Sequence, residues 1–411
     1  MKMNAVVAGV GMTHFGKHLE QGLKAIGSEA VELALKDANL TSEDLQAAWV
    51  GNAAAGLVTG QECIRGEVVL RSIGIGRIPV VNVENACASG ATAVNQAAAM
   101  VSAGLYDCVL ALGVEKLYHE DKRKSFSAFS GAVDVELMTV LMAALQKNAE
   151  EGGARSGSSG AGEKRSMFMD IYAAAARSHM QRYGTTAAQL AMVSAKNSLH
   201  GSLNPRAQFR ERMSVEEVLA APMIAEPLTR PMCSPIGDGA AAVILVSARK
   251  ARELGITRPV SIVSSVLRSG WDHDYDDPSS GDVSAKEAYE EASIGPDDLS
   301  LVELHDASSF GEILATEYLG LCPKGGGGKL VADGVTTLGG RLPVNTSGGL
   351  LRKGHPVGAT GAAQIVEITE QLQGRSGARQ VAGARIGMAQ NGGGNIGTDV
   401  AAMCVTILQA A

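Results

Sequence analysis

The chain has 411 residues, enough for two domains of ordinary size or one duplicated fold, and 45% hydrophobic residues to build a large core. Its net charge of −7 argues against nucleic acid as a partner, while an anionic cofactor would need only a local basic patch. Six cysteines without CxxC spacing argue against zinc ribbons and disulfide scaffolds, no metal is assigned, and no apolar run reaches the ~20 residues of a membrane span. A reducing cytoplasm is the expected setting.

In chain order, Ala5–Val10 reads as a strand entering the glycine loop GVGMTH, which lacks the third glycine of a dinucleotide fingerprint. Leu23–Ala38 has helical periodicity, TSED at Thr41–Asp44 caps a short helix, and Ala47–Gly51 is a strand. A helix follows over Gly60–Ile73, then a short buried strand over Ile78–Val83. The small-residue helix Ala88–Ala103 and the apolar strand Asp107–Gly113 come next. Such alternation predicts a layered α/β arrangement.

From Glu115 to about Met232 the regularity breaks into a mostly helical insertion. Helices are expected over Val133–Lys147, Met169–Tyr183 and Thr186–Asn197, with loop-like stretches at Ser125–Gly131 and Glu151–Glu163. The insertion carries Lys116, Lys122, Arg123, Lys124, Lys164 and Arg165, then Lys196, Arg206, Arg210 and Arg212. These form either a solvated face or a patch for a polyphosphate.

Gly237–Ser247 returns to the sheet as a turn and strand. Strand Val260–Val266, helix Ala285–Ala292, strand Leu301–Leu304, helix Phe310–Leu319, helix Gly358–Leu372 and strands Gln380–Met388 and Asp399–Leu408 then repeat the first half in outline. The expected division is residues 1–250, including the insertion at about 115–232, and residues 251–411. Two similar α/β halves would place a site where their loops converge.

Four stretches carry candidate chemistry. Cys87 stands between a strand and a helix start, where free N–H groups and the positive helix end favour thiolate and a developing oxyanion; the alternative is a buried structural cysteine. His305, in LHDASSF, ends a buried strand and either points into a crevice or, with Asp306, caps the next helix. His355 is held between Gly354 and Pro356 ahead of a helix, placed to take a proton from Cys87 or else lying on a surface loop. Gln390–Gly394 (QNGGG) reads as a rigid turn whose bare N–H groups would form half of an oxyanion hole.

Taken together, ACASG at Ala86–Gly90, HDAS at His305–Ser308, KGHPVGATG around His355 and QNGGG resemble the four motifs of the thiolase superfamily. The type resembled is the sterol-carrier-protein/archaeal one, along essentially the whole chain. The resemblance implies a five-layered α-β-α-β-α fold with duplicated halves and an inserted loop domain. It implies coenzyme A thioesters as substrates, with coenzyme A itself a substrate and no permanently bound cofactor. It makes Cys87 the acyl-accepting nucleophile and His355 the residue that activates it. His305 and the N–H of Gly392 become oxyanion donors. Lys196, Arg206, Arg210 and Arg212, with Ser347 and Gly348, would face coenzyme A. A homodimer or dimer of dimers is implied, as is a small OB-fold/zinc-ribbon partner subunit.

The chain departs from the family where a second cysteine serves as acid and base. Gln390 and Ala307 hold those positions, and Glu312, one turn past Ser308, is either a substitute or a plain helix-face contact. Ala307 and Ser308 are smaller than the family's Cys–Phe, which would suit a bulky or branched acyl group. The expected reaction is thiolysis of a β-ketoacyl-CoA or the reverse condensation, with benzoylsuccinyl-CoA as one such bulky substrate. The alternatives are an archaeal acetyl-CoA acetyltransferase, an aldolase-like enzyme on CoA thioesters, and a non-catalytic lipid-carrier or scaffold subunit.

Overall fold

The computed structural model describes residues 3–151 and 166–411; the loop expected up to Glu163, with Lys164 and Arg165, lies outside them. The first half supplies strands β1 (Ala5–Met12), β2 (Ala47–Gly51), β3 (Val80–Val83) and β4 (Cys108–Glu115). After an insertion that holds a small hairpin, β5 (Met223–Ala225) and β6 (Leu228–Thr229), the chain returns as β7 (Gly239–Val246). The second half supplies β8 (Val260–Ser269), β9 (Leu301–Glu303), β10 (Ile386–Gly393) and β11 (Ala402–Ala410).

The order β3-β2-β4-β7-β1 in the first half is met by β8-β11-β10-β9 in the second. Orientation repeats as well. β7 runs antiparallel to β4 and β1, as β11 does to β10 and β8. β2 is parallel to β3 and β4, as β9 is to β10. A parallel bridge from Val302 to Val344 stands where a fifth strand would continue the second half. The duplication expected from the sequence is therefore a repeat of strand order and direction. β1 and β8 pair from Ala5–Ile262 to Val7–Val260, joining both halves in one nine-stranded sheet.

Eight of the helices matter most for the layers and the site: α1 (Leu23–Ala38), α2 (Arg65–Ser72), α3 (Ser89–Ser102), α4 (Phe168–Tyr183), α5 (Ala187–Ser202), α6 (Ser280–Ala292), α7 (Ser309–Tyr318) and α8 (Thr360–Leu372). Alternating strand residues divide the core between two faces. Val7, Ala111 and Val243 of one half and Ile262, Leu301 and Leu408 of the other enclose Ala93 and Ala97 of α3 and Ile365 and Val366 of α8. The opposite faces pack outward, Val6, Leu110 and Ile244 on α1 and α2, and Val302, Met388 and Val405 on α6 and α7. Helix, sheet, central helices, sheet and helix make five layers. The central pair can cross so closely because both are small-residue helices. A Cβ at Gly361 would lie 2.3 Å from the Ala91 nitrogen, so a methyl there must push the helices apart, at a cost of about 1–3 kcal/mol.

Several expected boundaries move. The helix read over Gly60–Ile73 is two pieces, because Gly60 (φ +81) ends Ala55–Thr59 in the left-handed region before α2 begins. Ser125–Gly131 is no loop: Asp121 caps a helix over Lys122–Ser127 by accepting from the Arg123 N–H, and a 3-10 turn follows. The helix expected at Val133 starts at Met138. A capping box between Ser279 and Asp282 starts α6 at Ser280 rather than Ala285. β10 begins at Ile386, beyond the expected Gln380, and runs on to Gly393; β11 begins at Ala402. QNGG is thus strand rather than turn. Among the described residues no helix is long and apolar enough to cross a membrane.

Candidate active site

Cys87 sits in a 3-10 turn, Ala86–Ala88, that leads directly into α3. The residue before it, Ala86, has φ +47, a left-handed conformation that costs a residue with a Cβ about 1–2 kcal/mol. Three hydrogen bonds hold it there. The Ala86 N–H donates to Glu84 Oε1 (2.6 Å), the Ser89 hydroxyl to the Ala86 carbonyl (2.7 Å) and the Asn85 N–H to Ser89 Oγ (2.9 Å). The last strand residue of QNGGG packs against this turn. A Cβ at Gly393 would lie 2.1 Å from the Asn85 carbonyl oxygen, which is why the position is glycine.

Two histidines from the second half meet the thiol. His305 follows β9, and its backbone N–H donates to Gln390 Oε1 (2.9 Å) on β10. His355 lies in the turn before α8, paired to Ile236 of the returning insertion by a parallel bridge. One donor atom each from Cys87, His305 and His355 lie within 4.8 Å of one another. The imidazoles meet edge to face, with centroids 5.2 Å apart. Thr360 Oγ1 donates to the Pro356 carbonyl (3.1 Å), so its 2.7 Å contact with His355 Nδ1 has the ring donating. That leaves Nε2 as the free base. His305 Nε2 is buried without a hydrogen-bond partner.

Burial, and then the nearby Glu115 carboxylate, push the Cys87 thiol up to about 12, against the backbone N–H groups of Gly394 and Cys87 that point at the sulphur. The depressed value expected of a helix start does not arise, because desolvation outweighs the helix end. Burial lowers His305 to about 4, and burial together with His305 and Lys353 holds His355 well below its usual range. At neutral pH the trio is thus an uncharged thiol between two uncharged imidazoles. Glu115, which sequence reasoning passed over, ends β4 and accepts the N–H groups of Ala53, Ala54 and Gly358, so one buried carboxylate ties both halves together beside the site.

The trio opens into a cavity of about 600 Å³. Its lining includes Lys17, Lys122, Arg230 and Arg352 and no carboxylate. Of these only Lys122 belonged to the basic patch expected from the sequence. The others come from separate stretches that the fold brings together. Ala307 lines the cavity, whereas Ser308 turns away and caps α7, its hydroxyl accepting from the Gly311 N–H. That removes His305–Asp306 from the capping role.

The remaining expected residues are elsewhere. Lys196 is buried in α5, 2.8 Å from Glu312, and donates to the Val344 carbonyl (2.7 Å). It is a structural cation, not a phosphate contact, and Glu312 is its counter-ion, not a base at the cavity. Asp306 joins the same cluster through Asn197 (2.8 Å) and the Leu350 N–H (2.7 Å), which anchors the His305 strand end. Arg206 is held by both oxygens of Glu370. Arg210 and Arg212 are exposed and bond Ser202. Ser347 donates to Glu303 (2.5 Å) in the buried interior, and Gly348, at φ +100, is buried against Gly201. Gly392 lines the cavity, but the N–H groups aimed at the sulphur are those of Gly394 and Cys87. Gly394 closes the QNGGG motif whose N–H groups were expected at the oxyanion, but the motif singled out Gly392 rather than Gly394 as the donor.

Known proteins share this architecture. A family model for the thiolase N-terminal domain matches residues 5–249, and one described as thiolase C-terminal domain-like matches residues 273–408. An acetyl-CoA acetyltransferase of Methanothermobacter thermautotrophicus is 42% identical over 96% of this chain and 97% of its own. The benzoylsuccinyl-CoA thiolase subunit BbsB of Thauera aromatica is 37% identical over 93% and 92%. The solved structure of an Ltp2-ChsH2(DUF35) aldolase superposes with a TM-score of 0.77 at 24% identity, covering 99% of this chain and 98% of that one.

Proposed function

The chain belongs to the thiolase superfamily, and we propose that it cleaves a β-ketoacyl-CoA with coenzyme A through an acyl group carried on Cys87, or runs the same steps as a condensation. The convergence of Cys87, His305 and His355 within 4.8 Å at a cavity with a cationic lining carries this reading.

The free Nε2 of His355 takes the Cys87 proton as sulphur attacks the keto carbon. The oxyanion has the imidazole of His305 and the N–H groups of Cys87 and Gly394 as donors. Collapse breaks the bond between the keto carbon and Cα, and the departing carbanion takes the proton held on His355. That yields one acyl-CoA and leaves the other acyl group on Cys87. Coenzyme A then attacks the thioester, giving its thiol proton to His355, which returns it to Cys87. One imidazole thus handles both proton transfers, which accounts for a site with Ala307 and Gln390 where a second thiol would stand.

The acyl group is the finer question. The 42% identical acetyltransferase favours an acetyl group as the second reading, and the 37% identical thiolase subunit favours a bulky substrate such as benzoylsuccinyl-CoA. Retention of Cys87 argues against an aldolase and against a lipid carrier. β3 is an edge strand of the sheet with Val81 40% exposed, which suits pairing with a second copy as a homodimer or within a dimer of dimers. A relative that is named as a subunit supports a further small protein, with the OB-fold/zinc-ribbon type as our assignment. Six free thiols suit a reducing cytoplasm.

Incubation with acetoacetyl-CoA, alone and with any protein that co-purifies, should leave an acetyl mass on the Cys87 peptide. No acyl mass on Cys87 from this or a bulkier β-ketoacyl-CoA under either condition would sink the proposal, and turnover surviving Cys87→Ala would point to the aldolase instead.

A further inference from the structure

A second cavity, about 260 Å³, reaches the trio at His305. His305, Gly392, Gly394 and Tyr172 line both spaces, while Cys87 and His355 line the first, so the second adjoins the first beside the imidazole of His305. Their charges are opposite in kind. The first is lined by four cationic side chains and no carboxylate. The second is lined by Asp277, Asp282, Glu317 and Asp399 against the single cation Lys324.

Two acids of the second cavity are buried and fixed in place. Glu317 is held by His179 (3.1 Å) and the Gly327 N–H (3.0 Å), and Asp399 by the Ser280 N–H and hydroxyl (2.9 Å each). Tyr172, Tyr183, Tyr275 and Tyr318 supply aromatic wall. Within this lining, His273 Nε2 is buried without a hydrogen-bond partner, 3.7 Å from Asp399. A buried ring nitrogen that the protein leaves unsatisfied is a place for a ligand's polar group.

We infer that the first cavity takes the polyphosphate-bearing arm of coenzyme A and that the second is an acyl chamber for neutral, ring-bearing acyl groups with a hydrogen-bonding substituent, closed to acyl groups that end in a carboxylate. The inference rests on the thiolase reading and narrows it. A polyphosphate needs the cationic space, and a carboxylate placed beside the buried Glu317 and Asp399 meets like charge. Tyrosine rings offer faces to a flat ring, and a substituent hydroxyl would satisfy His273. A chamber built to bond a hydroxyl discriminates more sharply than one that only fills space. Of the substrates considered above, benzoylsuccinyl-CoA would place only its neutral benzoyl group here, because its carboxylate lies on the departing CoA-bearing fragment.

The test compares three probes with the full chain and any co-purifying protein: para-hydroxybenzoylacetyl-CoA, β-oxoadipyl-CoA and acetoacetyl-CoA. In thiolysis each leaves its distal acyl group on Cys87 and releases acetyl-CoA. The aryl probe should exceed β-oxoadipyl-CoA by about 100-fold in kcat/KM. Ala175→Phe, which fills the second cavity from α4, should lower the ratio of aryl to acetoacetyl turnover by about 50-fold, and His273→Phe by about tenfold. Equal use of β-oxoadipyl-CoA, or loss of both activities in parallel in each variant, would overturn the chamber while acetylation of Cys87 by acetoacetyl-CoA left the thiolase reading standing. No acyl mass on Cys87 from any probe would overturn both.

Discussion

The two halves repeat one scaffold and do different work with it. After β2, Asn52 turns its amide onto the Val114 carbonyl (2.6 Å) and Glu115 (3.1 Å), and the strand end becomes part of the frame. After β9, the corresponding strand end carries His305, whose Nε2 is left unsatisfied beside the thiol. Both central helices begin with a 3-10 turn, Ala86–Ala88 before α3 and Val357–Ala359 before α8. The first turn bears the nucleophile itself; ahead of the second comes the loop that bears its base. Duplication therefore brings two equivalent helix starts to one junction, and substitution at matched corners makes one half supply sulphur and the other imidazole.

Breaking the asymmetry on the sulphur side should have the largest effect. Cys87→Ser keeps size and hydrogen bonding but not thiolate chemistry, and thiolysis should fall by at least ~10⁴-fold with no covalent adduct by mass spectrometry. His355→Asn should follow at about 10³-fold, because the amide cannot carry the proton through both steps. If His305→Asn, which makes that corner resemble Asn52, lost more than His355→Asn, the assignment of the base to His355 would be wrong.

The reactive residues were legible because each stands at a boundary that composition marks: Cys87 before a small-residue helix, His305 at the end of an apolar run, His355 between glycine and proline. The residues around them were not. Charge type in a sequence is silent about burial, so Lys196 looked like Arg210 although one is inside with Glu312 and the other is exposed. Lys17, Arg230 and Arg352 share no stretch of chain; the returning insertion, through its bridges at Gly16–Asp238, Cys233–Ser308 and Ile236–His355, gathers them at the cavity. QNGGG looked like a turn because three glycines in a row usually are one. Gly393 is needed instead by the backbone of Asn85, a contact between halves that no local pattern encodes. Layer order and duplication were readable from alternation; the hairpin β5–β6, too short for periodicity, was not.

The protonation states sharpen the comparison further. With Cys87 pushed up to about 12 and His355 held well below its usual range, thiol and imidazole are both uncharged at every pH between those values. Thiolate is the alkylated form, so labelling of Cys87 by iodoacetamide should rise about tenfold per pH unit from about pH 7 to about pH 10 without a plateau. The exposed Cys63 provides the internal reference in peptide mass spectra. A plateau near neutrality would mean a resting thiolate–imidazolium pair and would reverse the picture of a nucleophile activated only as it attacks.

The smallest effect concerns a device that both halves share. In α3, Thr92 donates to the Ala88 carbonyl (2.9 Å) and accepts from the Asn85 amide (3.0 Å). In α8, Thr360 donates to the Pro356 carbonyl and accepts from His355 Nδ1. The same back-bonded threonine thus holds a frame residue in one half and the proton carrier in the other. Thr360→Val removes the acceptor, leaves the Nδ1–H buried and unpaired, and frees the ring to carry its proton on Nε2, the wrong nitrogen for a base. We expect kcat to fall about tenfold with KM little changed, Thr360→Ser to restore most of it, and nitrogen NMR shifts of His355 to report the change of tautomer. Thr92→Val should cost about 1 kcal/mol of stability and leave kcat within about threefold of the parent. Equal losses of kcat in the two valine variants would mean that Thr360 only holds backbone, as Thr92 does, and that the tautomer of His355 is set by something else.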